Sequence, residues 1–277
     1  MPVSNITNRA LIRITGAEAE HFLHNLVTAD IEGLRAGELS AGALLTPQGK
    51  ILFDFLISRG KGGFVIDCRS DIAADFAKRL KFYRLRAKVD IAVQEQALVG
   101  ASWQTESSAA SLSDMRFGKD IPVFRRYGSD AGGEEWQYTR LRIENGVAEG
   151  GSDYAFSDVF PHDANLDQTG GISYSKGCYV GQEVVSRMQH RGTARRRVLM
   201  AAGDAALEAG TLITAGGRAI GALGSAFENE ALALVRVDKV KDAMDAGAEI
   251  QAGGVPIRLS LPPRATFSWP DASGADE

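Results

Sequence analysis

The 277-residue sequence predicts an α+β fold that ends in a small all-β sheet or barrel. Near the N-terminus, Thr15 and Glu18 have the spacing of a capping box and apolar residues follow at helical spacing, which predicts a helix over residues 16–27. A second helix is predicted to begin at Ser70, which can cap it. From Arg197 onward, short apolar runs alternate with glycine turns, a pattern typical of a small closed sheet.

Strand-like runs account for most of the remaining chain. The runs at residues 39–46 and 51–58 are joined by the turn signal Pro47-Gln48-Gly49, which predicts a hairpin. Residues 104–114 are predicted to form a surface loop, and residues 138–143 fit either a strand or a helix. A helical turn is also predicted at residues 240–244. Further strands are predicted at residues 64–68, 87–93, 97–103, 197–202, 211–214, 219–227, 231–237, 248–251 and 255–261.

Composition excludes several classes of protein. With 31 Lys+Arg against 35 Asp+Glu, the net charge of -4 argues against nucleic-acid binding by the whole surface. The two cysteines, Cys68 and Cys178, are too few for a disulfide framework or for a cluster held by four thiolates of one chain. The chain has no run of about 18 apolar residues that would span a membrane, and its N-terminus lacks a signal pattern. We therefore expect a cytoplasmic protein.

The most unusual segment lies at residues 176–187. Lys176 is two residues from Cys178, and a nearby cation favours the reactive thiolate over the thiol. On a helix beginning near Gly181, Glu183 and Arg187 would be four residues apart and could pair. A tight turn that buries Cys178 as a small apolar residue is the alternative, and composition leaves both open.

A basic run follows this segment. It contains no acid from Val184 to Arg197, and its arginine forks suit carboxylate or phosphate groups. The run could bind an anionic cofactor tail or an RNA phosphate, or it could be a solvated linker. His21 and His24 have a spacing that can share a metal, but no third ligand is near in sequence, so no metal site is predicted. The cations of the run are Arg187, His190, Arg191, Arg195, Arg196 and Arg197.

Residues 176–183, Lys-Gly-Cys-Tyr-Val-Gly-Gln-Glu, resemble the signature of the YgfZ-type folate-binding proteins, and we call them the signature segment. That family includes mitochondrial iron–sulfur assembly factors and is related to the glycine cleavage T-protein, an aminomethyltransferase. The resemblance extends over residues 5–262. Its other motifs are Gly16-Ala17-Glu18, Val27-Thr28-Ala29-Asp30, Leu45–Ile51, Leu80–Val89 and Gly170–Tyr174.

The resemblance implies a three-part, ring-like T-protein fold with a central folate cleft and a C-terminal β-barrel. It implies two interleaved α+β subdomains in residues 1–192, the barrel in residues 193–263 and a flexible tail in residues 264–277. The function it implies is to support assembly or repair of iron–sulfur clusters in [4Fe–4S] enzymes, with tetrahydrofolate as cofactor and no permanently bound metal or cluster. Folate and iron–sulfur client proteins or cluster carriers are the expected partners.

Site residues follow from the same resemblance. Cys178 and Lys176 are expected to carry the chemistry. The residues expected to bind folate are Tyr138, as a stacking ring, Asp163, as a polar anchor, Tyr179, Gln182 and Glu183, and Arg187 and Arg191, which would meet the anionic glutamate tail.

The sequence also departs from the family pattern. The carboxylate of the aminomethyltransferases falls at Ala74, so Asp71 or Asp75 could replace it only if the register shifted. Arg9 stands where some members have a tryptophan, and Asp163 stands where a glutamate is usual. Because carbon transfer needs a placed acid–base group, a classical enzyme is not expected. A folate-dependent aminomethyltransferase or other one-carbon transferase is the alternative, and an RNA-contacting module that uses the basic run is a third hypothesis.

Overall fold

The computed structural model describes residues 2–95, 97–105, 108, 111–192 and 194–270. These residues form two compact units, each made from two stretches of chain. The first unit comprises residues 1–138 and 169–186, and the second comprises residues 139–168 and 187–277. The domain limits at residues 192 and 263 remain a prediction, and the end of the predicted tail, residues 271–277, lies outside the described residues.

A nine-stranded sheet with two helices forms the first unit. Its strand order is β1-β7-β9-β8-β3-β4-β5-β2-β6, and only the β3–β8 pair is parallel. The strands and helices are β1 (Val3–Ile6), β2 (Arg9–Thr15), α1 (Ala19–His24), β3 (Glu38–Leu45), β4 (Ile51–Gly60), β5 (Gly63–Arg69), α2 (Ser70–Arg84), β6 (Asp90–Gln94), β7 (Val99–Trp103), β8 (Leu112–Asp114) and β9 (Val123–Tyr127). A 3-10 turn, Met115–Phe117, follows β8.

The core of this unit lies where α2 packs on β2, β5 and β6. The ring of Phe76 on α2 stacks on Phe53 at 4.7 Å between centroids and contacts Phe55 at 5.3 Å. All three rings are buried, and their apolar area makes them a main source of hydrophobic stabilisation here. The helical spacing of the apolar residues on α2 is therefore explained by one buried face.

A buried ionic cluster connects distant strands of the same sheet. The fully buried carboxylate of Asp67 on β5 accepts hydrogen bonds from Arg9 Nε on β2 and from Arg125 Nη1 on β9, both at 2.5 Å. Burial alone would raise the pKa of Asp67, but the two guanidinium groups hold it below its ordinary value. Tyr127 Oη donates to the same carboxylate at 3.1 Å. The cluster thus joins strands that lie at separate positions in the sheet.

The second unit contains a closed six-stranded barrel in the order β10-β13-β12-β11-β14-β15. A helix, α5 (Val237–Asp245), contributes Val237, Val240 and Ala243 to its core. The buried Arg142 donates to Asp153 Oδ2 at 2.8 Å and to Ser225 Oγ at 2.9 Å, which ties residues 139–168 to the barrel. The barrel strands are β10 (Arg196–Gly203), β11 (Leu212–Ala215), β12 (Arg218–Phe227), β13 (Glu230–Arg236), β14 (Ile250–Ala252) and β15 (Val255–Ser260).

Two further helices span positions at which the chain passes from the first unit to the second. The first, α3 (Glu135–Asn145), resolves the ambiguity at residues 138–143 in favour of a helix. The second, α4 (Gln182–Arg191), begins directly after Gly181, as predicted. The predicted barrel strands and the hairpin of β3 and β4 are also confirmed.

The predicted capping box is wrong. Thr15 is the last residue of β2, and the N-terminal cap of α1 has no side-chain hydrogen bond. The Glu18 carboxylate instead accepts the backbone N–H of Lys88 at 2.7 Å. The helix is consequently shorter than the predicted 16–27, and Glu18 joins α1 to the chain before β6.

Removing the buried carboxylate of Asp67 is expected to destabilise the first unit strongly. Asp67→Ala would leave Arg9 and Arg125 buried without their carboxylate, and breaking such a pair costs about 3–5 kcal/mol. Urea unfolding monitored by circular dichroism measures this loss. Asp71→Ala is the matched control because Asp71 pairs with Arg69 at the surface and should cost at most about 1 kcal/mol.

The sign of the pH dependence follows from the lowered pKa of Asp67. Its stabilising contribution is present above the pKa of the unfolded chain and is lost as the pH falls through the lower, folded-state pKa. Equal losses for Asp67→Ala and Asp71→Ala would contradict a structural role for the cluster.

Candidate functional site

The signature segment is attached to the end of α1 through Lys176. Its ammonium group donates to the backbone carbonyls of His24, Val27 and Ala29, the last two at 2.5 Å and 2.9 Å. The carbonyls after a short helix lack helical partners, and a lysine can satisfy them. Burial lowers the pKa of Lys176 to about 8, and Asp30 and Glu32 oppose the shift. The ammonium also lies 4.9 Å from the centre of the Tyr179 ring.

A second attachment follows at Gly181. Its φ of +81° favours glycine, and a Cβ there would lie 2.7 Å from the carbonyl oxygen of Thr46. Gly49, also at φ +81°, permits the reverse approach, since a Cβ on it would lie 2.8 Å from Cβ of Val184. The turn between β3 and β4 therefore packs directly against the start of α4, and only glycine at these two positions permits the contact.

Cys178 lies between these two attachments and is exposed. The other cysteine, Cys68, is fully buried on β5, and burial raises the pKa of its thiol to about 12. Because the thiolate is the reactive form, Cys68 is inert at neutral pH whereas Cys178 is accessible. The alternative in which Cys178 is a buried apolar residue is wrong.

The expected partnership between Lys176 and Cys178 takes a different form in the structure. The three hydrogen bonds of the ammonium are all directed at backbone carbonyls. Within the described residues, no hydrogen bond or ion pair joins Lys176 to Cys178. The observed contacts of Lys176 therefore hold the segment in place, and its predicted effect on the thiol remains a prediction.

The other signature residues differ in exposure. Tyr179 is buried, and burial raises the pKa of its hydroxyl to about 12. Gln182 is half-buried at the first position of α4, and Glu183 is exposed one residue later. Arg187 and Arg191 are exposed further along the same helix. The carboxylate of Glu183 and the guanidinium groups of Arg187 and Arg191 are thus in contact with solvent.

Tyr138 belongs to the buried ionic cluster. Its hydroxyl accepts hydrogen bonds from Arg116 Nη2 and Arg125 Nη2, both at 2.6 Å. Its ring is 2% exposed, with the Arg125 guanidinium 5.3 Å and the Phe117 ring centre 6.3 Å from its own centre. The ring is thus enclosed by protein, and its hydroxyl is bound by two guanidinium groups. In this arrangement the ring has no open face on which a pterin could stack.

Asp163 is also committed to protein partners, within the second unit. Its Oδ2 accepts the backbone N–H of Phe160 at 3.1 Å and Arg196 Nη2 at 3.0 Å. Burial raises the pKa of Asp163, and the Phe160 amide and Arg196 oppose the shift. The carboxylate is 4% exposed, so its observed role is to hold the loop before β10.

The basic run divides into paired and exposed cations. Arg196 pairs with Asp158 at 2.8 Å, and Arg197 pairs with Asp167 at 2.6 Å and lies 4.4 Å from the Phe267 ring. The last two arginines therefore stabilise the fold of the second unit. His190, Arg191 and Arg195 are exposed. An anion could therefore meet the run at these exposed cations.

The Asp67 cluster joins residues that are far apart in the sequence. Asp67 and Arg125 are 58 residues apart, and no local pattern relates them. A weak signal was an aspartate inside the otherwise apolar strand Phe64–Cys68, since a buried carboxylate requires a cationic partner. Arg9, which the resemblance aligned with a tryptophan, is one of the two cationic partners of Asp67.

The residues considered for the missing acid lie on the outer face of α2. Ala74 and Asp75 are exposed, and Asp71 is bound by Arg69. Among the residues that the structure describes, no group of three His, Cys, Asp or Glu side chains is arranged to hold a metal ion. His24 is buried and accepts the backbone N–H of Glu32 at 3.4 Å, whereas His21 is exposed.

Both the barrel and the chain as a whole are similar to known proteins. Residues 195–267 match the family described as "CAF17, C-terminal beta-barrel domain". The chain is 30% identical over 231 residues to the mitochondrial iron–sulfur cluster assembly factor IBA57 homolog of Neurospora crassa, an alignment that covers 71% of this chain and 52% of the relative. It is 27% identical over 310 residues to human mitochondrial IBA57, covering 97% of this chain and 85% of the relative.

The relatives of this chain are iron–sulfur cluster assembly factors. The chain spans about half the length of the fungal relative. This confirms the predicted relation to iron–sulfur assembly proteins at the level of the relatives' names, while the finer YgfZ-type assignment remains a prediction. Each of these relatives is named as a mitochondrial protein. The expectation of a cytoplasmic location is therefore wrong, and the relatives point to mitochondria instead.

A solved structure confirms the fold class. The aminomethyltransferase T of the glycine cleavage system from Bartonella henselae superposes with a TM-score of 0.72, covering 94% of this chain and 85% of that one. At 18% sequence identity this likeness shows the fold alone. The α+β T-protein fold and its closed C-terminal barrel are thus confirmed. Helices in the described part of the chain are too short or too polar to cross a membrane.

The different burial of the two thiols predicts their reactivity. In native protein, 5,5′-dithiobis(2-nitrobenzoic acid) is expected to modify Cys178 quickly and Cys68 only after unfolding, because burial excludes the reagent and keeps the Cys68 thiol protonated. Absorbance of the released thiolate measures the number of thiols that react in buffer and in guanidinium chloride. Cys178→Ser should abolish the fast phase, and Cys68→Ala should leave it unchanged. A fast phase that persists in Cys178→Ser would contradict this assignment.

Proposed function

We propose that this chain is a mitochondrial assembly factor for iron–sulfur clusters that acts through the thiol of Cys178. The main support for this proposal is the position of Cys178, which is exposed. Hydrogen bonds of Lys176 hold the backbone before it, and the close packing of Gly181 holds the backbone after it. The names of its relatives support the assembly role. A fixed, accessible thiol can meet a cluster or a thiol on another protein without ordering a mobile loop first, which lowers the entropic cost of the encounter.

The supply of thiolates limits what this chain can do alone. Clusters of the [2Fe–2S] and [4Fe–4S] types are commonly held by four cysteine thiolates. Here Cys178 is accessible and Cys68 is buried in the sheet core. The protein is therefore proposed to act on clusters that a client or carrier protein holds, with Cys178 as a transient ligand or redox group. Iron–sulfur client proteins and cluster carriers are therefore the proposed partners.

Tetrahydrofolate binding is the second part of the proposal, and the T-protein fold supports it. The residues differ in their fit to this ligand. Arg187 and Arg191 are exposed cations one helical turn apart on α4, and such a pair fits the carboxylates of a glutamate tail. Tyr138 and Asp163 do not fit the pterin. Arginines already bind the hydroxyl of Tyr138 and the carboxylate of Asp163. No chemical step is therefore assigned to the folate.

The role of the thiol is testable in cells. In a strain that lacks its own copy, the wild-type chain should restore the activity of a mitochondrial [4Fe–4S] enzyme such as aconitase, and Cys178→Ser should leave it at the level of the deletion strain. The reason is that serine cannot supply a thiolate ligand or redox group. Aconitase activity per mass of aconitase protein is the measurement.

Cys68→Ala is the matched control for this experiment, because it removes the buried thiol and should preserve activity. Equal activity of wild type and Cys178→Ser would refute the thiol role. Normal urea unfolding of both variants would show that the fold is retained.

Folate binding is tested by anaerobic calorimetric titration with tetrahydrofolate and with its triglutamate form. We expect Arg187→Ala/Arg191→Ala to weaken binding of the triglutamate by about tenfold, since two exposed ion pairs contribute up to about 1 kcal/mol each and 1.4 kcal/mol corresponds to a factor of ten. Arg258→Ala, which removes an exposed arginine from β15, is the control and should bind as wild type does. The absence of heat for the wild-type chain with either ligand would remove folate from the proposal.

A further inference from the structure

A groove of about 460 Å³ lies beside the signature segment in the first unit. We call it the basic groove. Its apolar lining comes from α1, from the end of α2 and from the signature segment itself. The residues that form this apolar lining are Phe22, Leu26, Tyr83, Leu85, Ala87 and Val180.

Two exposed cations, Arg84 and Arg86, line the groove, and four more lie in the same stretch of chain. The chain contains no acidic residue between Asp75 and Asp90, and all the cations in that interval are exposed. None of them forms an ion pair within the described residues. One acid, Glu18, also lines the groove, and its carboxylate accepts the Lys88 amide. The cations are Lys78, Arg79, Lys81, Arg84, Arg86 and Lys88.

Two large apolar side chains are exposed here: Leu85 lines the groove, and the Phe82 ring contacts that of the groove-lining Tyr83 at 5.7 Å between centroids. Leu85 is 85% exposed and Phe82 is 70% exposed, although both could have been polar at no cost to the core. Leu85 also has φ +46° and ψ -107° where α2 ends, a conformation that favours glycine. A leucine at this position is thus disfavoured both by its backbone and by its contact with water.

The basic groove and Cys178 are positioned by the same contacts. Val180, two residues after Cys178, forms part of the groove wall. Leu26, which also lines the groove, lies in sequence between His24 and Val27, whose carbonyls Lys176 binds. A protein bound in the groove would therefore contact the segment that carries the exposed thiol.

We propose that the basic groove docks an amphipathic, acidic helix of a partner protein and thereby brings that partner to Cys178. Apolar side chains of the helix would cover Leu85 and Phe82, and its carboxylates would meet the cations around the groove. This combination of an apolar centre and a charged periphery is typical of helix-in-groove recognition. The binding of a helix is inferred from the groove alone. The inference that this binding brings the partner to Cys178 rests on the proposed function.

A defined peptide tests the docking. The probe is a fluorescein-labelled 16-residue helix with Leu and Phe on one face and Glu elsewhere, compared with a scrambled peptide of the same composition. Fluorescence anisotropy should show micromolar binding of the amphipathic peptide only. Binding should weaken at least tenfold in Arg84→Glu/Arg86→Glu and should fall as salt is raised, because the peripheral contacts are ionic.

A second variant separates docking from folding. Leu85→Gly removes an exposed side chain and relieves the backbone, so it should keep or raise the Tm while it weakens peptide binding. Leu212→Ser and Arg258→Glu change equally exposed residues of the barrel and should bind as wild type does. Equal binding of the two peptides, or unchanged binding in the groove variants, would overturn the proposal.

Other occupants of the groove give different results. Sedimentation that shows a dimer abolished by Leu85→Gly would assign the groove to a second copy of this chain and overturn the proposal. Tighter binding of a 20-nucleotide RNA than of the acidic peptide, lost in Arg84→Glu/Arg86→Glu, would also overturn it.

Delivery to Cys178 is tested by the aconitase assay described above. Phe82→Ser/Leu85→Ser should lower activity as Cys178→Ser does, while its Cys178 still reacts normally with the thiol reagent. Full activity of the groove variant together with loss in Cys178→Ser would overturn delivery and leave the proposed function intact. Full activity of Cys178→Ser would reject the proposed function, and the peptide experiment would then decide docking by itself.

Discussion

The first unit depends on one buried carboxylate, that of Asp67, between two guanidinium groups. Arg9 and Arg125 reach it from β2 and β9, which are not neighbours in the sheet. A buried charge without partners is strongly unfavourable, so the native pairing of these strands is the arrangement in which the Asp67 carboxylate meets both guanidinium groups. Tyr138 and Asp114 extend the same network to α3 and β8. Residues expected at a ligand site thereby become part of the core.

A second set of contacts holds the signature segment in place. Lys176 binds carbonyls that α1 leaves unsatisfied, and Gly181 permits close approach to the turn between β3 and β4. Neither contact involves the thiol. The segment therefore presents Cys178 to solvent while other groups hold its backbone, and Val180 of the same segment lines the neighbouring groove. A fixed thiol beside an exposed apolar surface is suited to chemistry on a group held by another protein.

Sequence reasoning was most accurate where short-range patterns decide the structure. The hairpin of β3 and β4, the helix from Ser70 and the barrel strands follow from apolar periodicity and turn residues, which act over a few positions. It was inaccurate where a side chain has a distant competitor. The Glu18 carboxylate bonds Lys88 in place of its own helix, and Tyr138 meets two arginines in place of a ligand.

The sequence by itself determined the α+β class, the closed barrel and the helix that begins after Gly181, because each is encoded in contiguous residues. Only the tertiary structure decided that Lys176 binds carbonyls, that Cys178 is exposed while Cys68 is buried, and that Asp67 is neutralised by Arg9 and Arg125. These facts depend on which distant groups approach within hydrogen-bond distance and on which surfaces lose contact with water. Burial and long-range pairing are properties of the folded chain, and no local pattern specifies them.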